Sequence, residues 1–209
     1  MNPAVTPERR ERVREVVGRY RRRARLLRVA LLLPFVVAVV AAAAVGNALA
    51  IVGVGLVGVA LLVGPVLDPT ARAVYVTDAD PDAVRDALAG PYSPPLALVW
   101  GRGEVRATDR GGEYEWSMLG GLRSATLSWD AEDREEGQRV VYAANGEPKA
   151  YYDTAVRRED GETVLDIETR YEGRVGLNVL PGVLAARGLR REVWAAQGYE
   201  RRTREGSLV

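Results

Sequence analysis

The chain has 209 residues with 29 basic and 28 acidic side chains, and it contains neither cysteine nor histidine. The lack of cysteine excludes disulfides, thiolate metal sites and thiol nucleophiles, and the lack of histidine excludes histidine-based triads and the usual proton shuttle at neutral pH. We therefore expect no metal site, no cofactor and no catalytic residue.

The first 28 residues are strongly basic, with ten arginines against three glutamates. Thr6 and Pro7 are typical of a helix start, and apolar residues then recur at intervals of three or four, which predicts an amphipathic cytoplasmic arm over residues 1–28. The arm is either a solvated helix or a helix that lies on anionic headgroups. In the second case the membrane-surface residues are Arg19, Arg21, Arg22, Arg23, Arg25 and Arg28.

Residues 29–67 contain no charged side chain. One straight helix of this length would measure about 58 Å, roughly twice the ~30 Å hydrocarbon core of a bilayer. The turn-forming pair Gly46-Asn47 lies near the middle. We therefore predict a two-helix transmembrane hairpin, with spans at about 29–46 and 48–67.

Two other interpretations of this apolar stretch fit less well. The apolar region of a secretory signal has about 7–15 residues, far fewer than here. Residues 53–58 match the dinucleotide fingerprint G-x-G-x-x-G, but that motif needs a soluble strand–turn–helix unit. We favour packing glycines within lipid-embedded helices.

The arginine bias also predicts the orientation of the chain. Segments rich in arginine stay in the cytoplasm, and a hairpin returns the chain to the side on which it began. We predict a two-pass protein of the cell membrane with both termini cytoplasmic and the lipid bilayer as a partner. Residues 68–209 hold 25 acidic and 19 basic side chains, which argues against a nucleic-acid partner.

The cytoplasmic part, residues 68–209, is predicted to be an α+β domain. Ala71–Thr77 alternates like a strand, and Asp80-Pro81 is typical of the start of a helix. Leu96–Trp100 is predicted as a short apolar strand, and turn residues separate six more strands, at 103–109, 113–118, 122–132, 138–144, 149–158 and 162–172. Apolar residues at mostly helical spacing over 177–196 then predict a long C-terminal helix with a kink near Gly188.

The segment Val74–Leu88 resembles the first strand and first helix of the START-like helix-grip superfamily (SRPBCC, the polyketide cyclase and lipid-transport superfamily). The element order over about 71–204 is similar to it as well. This resemblance implies a curved antiparallel sheet packed on a long C-terminal helix, with an apolar cavity for lipids or other hydrophobic molecules between them. The rival fold is a membrane-tethered pleckstrin-homology-like domain. A strand followed at once by the Asp80–Leu88 helix fits that fold poorly.

The aromatic residues of the domain are the candidates for ligand contact, with ordinary core packing as the alternative. The residues expected to line the cavity are Trp100, Tyr114, Trp116, Trp129, Tyr142, Tyr152, Leu184 and Trp194. We predict a membrane-anchored, non-catalytic binding module for a hydrophobic or lipid-like small molecule. The alternative is a structural or interaction domain that recruits a protein partner to the membrane. An enzyme would need a buried carboxylate such as Asp153, which lies next to two tyrosines.

Overall fold

The computed structural model describes residues 6–46, 48–65, 67–118, 123–135 and 137–207. Its helices are α1 (Pro7–Ala44), α2 (Ala48–Val63), α3 (Pro81–Leu88), α4 (Ala97–Trp100), α5 (Leu180–Ala186) and α6 (Leu189–Ala196). Its strands are β1 (Thr70–Thr77), β2 (Arg106–Thr108), β3 (Gly111–Met118), β4 (Arg123–Arg134), β5 (Gly137–Ala144), β6 (Glu147–Glu159), β7 (Glu162–Tyr171) and β8 (Glu200–Ser207). The strands form one antiparallel sheet in the order β2-β3-β4-β5-β6-β7-β1-β8. The predicted α+β class is therefore confirmed.

Local signals fix the first strand and the first helix of the sheet domain. The carboxylate of Asp80 accepts a hydrogen bond from the backbone N–H of Asp82 at 2.9 Å, and Pro81 occupies the first helical turn. This is an N-cap followed by a residue whose φ suits a helix start. α3 then buries Val84 and Leu88 against the core, so the predicted strand–helix pair is present.

Tight turns set the register of the meander. Asn145-Gly146 joins β5 to β6, and Asp160-Gly161 joins β6 to β7, with positive φ at all four residues. Such pairs favour two-residue hairpins because both central residues of the turn need positive φ. The six strands predicted between 103 and 172 correspond to β2–β7.

The predicted strand at Leu96–Trp100 is wrong, because these residues are helical. A single 3₁₀ turn, Pro94–Leu96, leads into α4. Leu96, Ala97 and Trp100 are each 1% exposed, and a helix brings these three positions onto one face. The indole N–H of Trp100 donates to the carbonyl of Ser93 at 2.9 Å, which closes this compact turn.

The long C-terminal helix is also not observed as predicted. A 3₁₀ turn, Leu177–Val179, leads into α5, and α5 and α6 are short helices separated by Arg187-Gly188. Gly188 has a φ of 80°, which interrupts the helical path. A second left-handed glycine, Gly198 (φ 88°), turns the chain into β8, an edge strand on β1. No strand was predicted there.

The basic arm is part of the domain core. The apolar face of α1 is buried, with exposures of 8% or less at Val13, Val16, Val17, Tyr20 and Ala24. This face belongs to the same core cluster as residues of α4, α5 and α6. The predicted amphipathic helix is present, and its apolar face covers the domain while most of its arginines are exposed, because a continuous apolar stripe is most stable when it is buried. Contact of the arginines with headgroups stays a prediction. α1 thus supplies helical cover that the C-terminal helix was expected to provide.

Beyond the domain, α1 and α2 form an apolar helical hairpin. Gly46 has a φ of 69° and reverses the chain, while Asn47 lies outside the described residues. A Cβ on Gly58 would lie 2.9 Å from Cδ1 of Phe35, so glycine lets the two helices approach closely. Large apolar side chains cover the outside of both helices, among them Val36, Val40, Leu49 and Leu56.

Of the described helices, α1 alone is long and apolar enough to cross a membrane. α2 is apolar throughout but has 16 residues, which at 1.5 Å per residue is about 24 Å. The structure therefore has one N-terminal helix with the length and apolar composition expected of a membrane span. The second span stays a prediction.

Candidate functional site

A cavity of about 220 Å³ lies between the sheet and the helices α1, α5 and α6. Small residues create this space: Ala71, Ala73 and Ala150 line it from the sheet, and Gly182 and Ala186 line it from α5. The alternation of side chains along a strand places Ala71, Ala73 and Tyr75 on the same face of β1. The small side chains thus leave a cavity between the helices and the sheet.

An aromatic cluster forms one wall of the cavity. The rings of Tyr75 and Trp194 stack with centroids 3.9 Å apart and an interplanar angle of 19°. The edge of the Tyr199 ring contacts Trp194 at a centroid distance of 5.2 Å and an angle of 87°. Stacked and edge-on pairs of this kind are favourable beyond their buried area. Trp194 is therefore fixed in position from both sides.

Three tyrosines of the cavity remain neutral at physiological pH. Burial raises the pKa of Tyr75, Tyr142 and Tyr152, because an apolar environment disfavours the phenolate. Tyr152 is half-buried, as expected of a side chain that borders a cavity. These three tyrosines thus offer uncharged hydroxyl groups beside the apolar residues of the lining.

The raised tyrosine pKa values predict loss of stability in alkali. Tyrosine in the unfolded chain loses its proton near pH 10, whereas burial raises the pKa of Tyr199 to about 12. Between these values the unfolded state has released a proton that the folded state keeps, so the free energy of unfolding falls as pH rises, by up to about 1.4 kcal/mol per pH unit for one tyrosine.

Denaturant unfolding of the full chain over an alkaline pH series measures this slope. Tyr199→Phe should make the decline with pH shallower, whatever it does to stability at neutral pH. An equally steep decline in Tyr199→Phe would contradict the assignment.

Arginines border the cavity at separate places. Arg102, from the turn after α4, lies with its guanidinium carbon 5.7 Å from the Tyr20 ring centroid and 5.8 Å from that of Trp116. Its Nε is buried and has no hydrogen-bond partner among the described residues. Arg190 and Arg204 line the cavity from α6 and β8. The site is therefore apolar in its middle and cationic at its edges.

Three of the residues predicted from sequence line this cavity, namely Tyr142, Tyr152 and Trp194. Trp100 and Trp129 are instead packed in the core, at 1% and 2% exposure. The indole N–H of Trp129 donates to the carbonyl of Gly90 at 3.2 Å, and that of Trp100 is also bonded to backbone. Trp100 and Trp129 are therefore core-packing residues, which was the alternative to ligand contact.

The other predicted residues lie elsewhere. Tyr114 and Trp116 line a second, smaller cavity of about 140 Å³ beside α1, together with Arg102. Leu184 is half-buried on α5 and does not line the main cavity.

The six arginines predicted at the membrane surface also separate into groups. Arg21, Arg25 and Arg28 line the second cavity with Trp116. Arg19 forms an ion pair with Glu192 of α6 at 2.6 Å. The remaining two, Arg22 and Arg23, are exposed.

Sequence reasoning missed several residues of the main cavity. The period-two pattern of β1 was visible and could have indicated Ala73 and Tyr75. Tyr20, Arg190 and Arg204 had no such signal, because their helix or strand reaches the cavity only through long-range packing.

The candidate acid Asp153 faces away from the cavity. It alternates with Tyr152 along β6 and so points to the opposite face of the sheet. The guanidinium of Arg139 donates two hydrogen bonds to its carboxylate, at 2.6 and 3.0 Å. The pKa of Arg139 is raised by these hydrogen bonds. The pair is a cross-strand structural contact.

Comparison with known proteins adds little. No family model matches the chain, and no curated protein matches it. Among solved structures, the chain is similar to the Mll3558 protein from Rhizobium loti, with 17% identity and a TM-score of 0.41, over 63% of this chain and 99% of that one.

Proposed function

We propose that this protein is a membrane-anchored binding module that holds a small hydrophobic or lipid-like molecule without chemical conversion. The observation that carries the proposal is the cavity of about 220 Å³ between sheet and helices. Its walls combine alanines, stacked aromatic rings and neutral phenols, which is the usual composition of small-molecule sites.

The volume restricts the ligand. An apolar cavity of about 150 Å³ accommodates benzene, so by proportion about 220 Å³ accommodates roughly nine carbon atoms. This is less than the ~300 Å³ at the lower end of typical ligand pockets. The apolar part of the ligand is thus one ring system or one short chain, and a two-chain lipid is too large to enter whole.

The arrangement of elements supports membership of the helix-grip superfamily as part of the proposal. A strand and a capped helix precede an antiparallel meander, and β1 lies beside β7, the last strand of that meander. Helices cover one side of the sheet and enclose the cavity. In this chain the cover is divided among α5, α6 and the basic half of α1.

The membrane arrangement is a second part of the proposal. α1 crosses the bilayer and α2 returns, which leaves both termini in the cytoplasm by the arginine bias. The exposed leucines and valines of both helices support this, because such a surface is costly in water. α2 is about 6 Å shorter than a typical hydrocarbon core, a mismatch that local thinning accommodates.

Tryptophan quenching in the full chain tests the binding proposal. The protein is reconstituted in discs of zwitterionic phosphatidylcholine, and ω-bromohexanoate and ω-bromohexanol are added, since bromine quenches indole fluorescence on contact. Trp194 alone of the four tryptophans lines the main cavity, so we expect saturable quenching that Trp194→Phe removes.

A cavity-filling variant supplies the matched control. Ala73→Phe places a ring in the cavity and should lower affinity at least about tenfold. Ala155→Phe makes the same change on the opposite face of the sheet, beside Asp153, and should bind like the native protein. Absence of saturable quenching with every probe would refute the proposal and would favour the interaction-domain alternative.

A further inference from the structure

Four arginines gather where the cavity reaches the surface. Arg187 and Arg190, from the α5–α6 junction and α6, and Arg201 and Arg204, from β8, line an open pocket of about 500 Å³. This pocket shares Arg190 and Arg204 with the main cavity, together with residues of β1, β7 and α5. The two spaces are therefore adjacent, and we refer to these four residues as the arginine cluster.

The arginine cluster has no carboxylate partner among the described residues. None of its members lies within 4.0 Å of an acidic group there. Many other arginines of the sheet are paired; Arg72, for example, donates two hydrogen bonds to Asp166 at 3.1 and 2.6 Å. Glu205 is the one acidic residue that lines the pocket. It is opposite Arg72 in the strand register. Because side chains alternate along a strand, those of Glu205 and Arg204 point in opposite directions.

Like charges at this density are unfavourable without a counter-ion. The pKa of Arg204 is lowered by burial and then by the positive charges of Arg190, Arg201 and Arg187. The positive charges of Arg190, Arg201 and Arg204 also act on Tyr75 in the cavity wall and oppose the rise of its pKa. An anion in the pocket would relieve the repulsion, and guanidinium groups bind carboxylate and phosphate through paired hydrogen bonds.

We propose that the ligand of the cavity is an amphiphile, with a carboxylate or phosphate bound by the arginine cluster and an apolar part inserted between sheet and helices. This inference rests on the proposed function and specifies the chemistry of its ligand. The aromatic wall selects for an apolar group of about ring size, and the cluster selects for negative charge. A neutral molecule of the same shape leaves the four cations without a partner.

The quenching assay tests the charge requirement with probes that differ only in the head. ω-Bromohexanoate and ω-bromohexyl phosphate are compared with neutral ω-bromohexanol at about physiological ionic strength. We expect the anionic probes to bind at least about tenfold more tightly than the alcohol. Whichever of the two anions binds more tightly identifies a carboxylate or a phosphate ligand.

Substitutions test whether the arginine cluster causes the preference for anionic probes. Arg190→Gln with Arg204→Gln should remove the preference for the anionic probes, so that the anions and the alcohol bind with similar affinity. Arg191→Gln is the matched control, because Arg191 is an exposed neighbour on α6 that does not line either space, and it should keep the preference. Near-ultraviolet circular dichroism confirms that each variant retains the stacked aromatic cluster.

The outcomes separate this inference from the proposed function. Equal affinity for the alcohol and the anions in the native protein would overturn the arginine-cluster proposal and leave the binding proposal intact. A preference that survives Arg190→Gln with Arg204→Gln would also overturn it. Quenching by no probe would end both proposals.

Discussion

Val17→Asp is expected to lower the free energy of unfolding of the sheet domain by at least about 3 kcal/mol, because it places an unpaired charge in a closely packed core. Val17 is 1% exposed on α1. A Cβ on Gly101, at the end of α4, would lie 2.7 Å from Cγ2 of Val17, so there is no room for water beside the new carboxylate. The loss should appear in denaturant unfolding of the full chain, followed by aromatic circular dichroism.

Gly18→Asp is the matched control for this substitution. It introduces the same side chain one position further along α1, where a Cβ on Gly18 meets no atom within 4 Å. The expected change in free energy is below about 1 kcal/mol. If both variants behaved alike, α1 would not be part of the folded core.

Trp194→Ala is the second substitution with a large expected effect. It removes the ring that stacks on Tyr75 at 3.9 Å and contacts the edge of Tyr199. Replacing a buried tryptophan by alanine typically costs about 3–5 kcal/mol, from lost transfer energy and from the cavity that is left. Here the new space adds to an existing cavity, which favours the upper part of that range.

Trp116→Ala provides the comparison, since Trp116 is half-buried beside the second cavity and Arg102. We expect a cost of about 1–2 kcal/mol there, from partial burial and a cation–π contact. Chemical unfolding of both variants measures the difference. Equal losses would mean that neither the fuller burial of Trp194 nor its stack on Tyr75 adds to stability.

Elements with local chemical signals were predictable from the sequence. Asp80-Pro81 starts α3 because its side-chain cap and fixed φ act within one turn. Asn145-Gly146 and Asp160-Gly161 set the hairpins because few other residues adopt positive φ at low cost. In each case the deciding interaction lies within a few residues of the signal.

Elements decided by distant partners were not predictable in the same way. Leu96–Trp100 is a short apolar run, which periodicity cannot assign to helix or strand. β8 consists largely of charged residues and is a strand because β1 offers it an open edge. The apolar stripe of α1 was visible, but its partners lie more than 70 residues away, at α4 and beyond.

The candidate site shows the same limit. Alternation along a strand indicates which face Tyr152 occupies, but it does not indicate whether that face meets a large or a small neighbour. Trp129 and Tyr152 both lie on strands of one sheet, yet the first is packed in the core and the second borders empty space. The difference depends on the alanines and glycine around Tyr152, which only the assembled fold brings together.

The continuity of α1 has a mechanical consequence. One helix runs from Pro7 to Ala44, so Tyr20 at the cavity wall and Val36 on the exposed apolar stretch belong to the same helix, with Pro34 between them. In the proposed membrane arrangement, a flexible linker would let the domain tumble, whereas this helix restricts its distance from the bilayer and its orientation. In the proposed arrangement, a change of bilayer thickness alters the tilt of such a helix. A change of tilt would also move Tyr20, and with it the part of the cavity wall that α1 supplies.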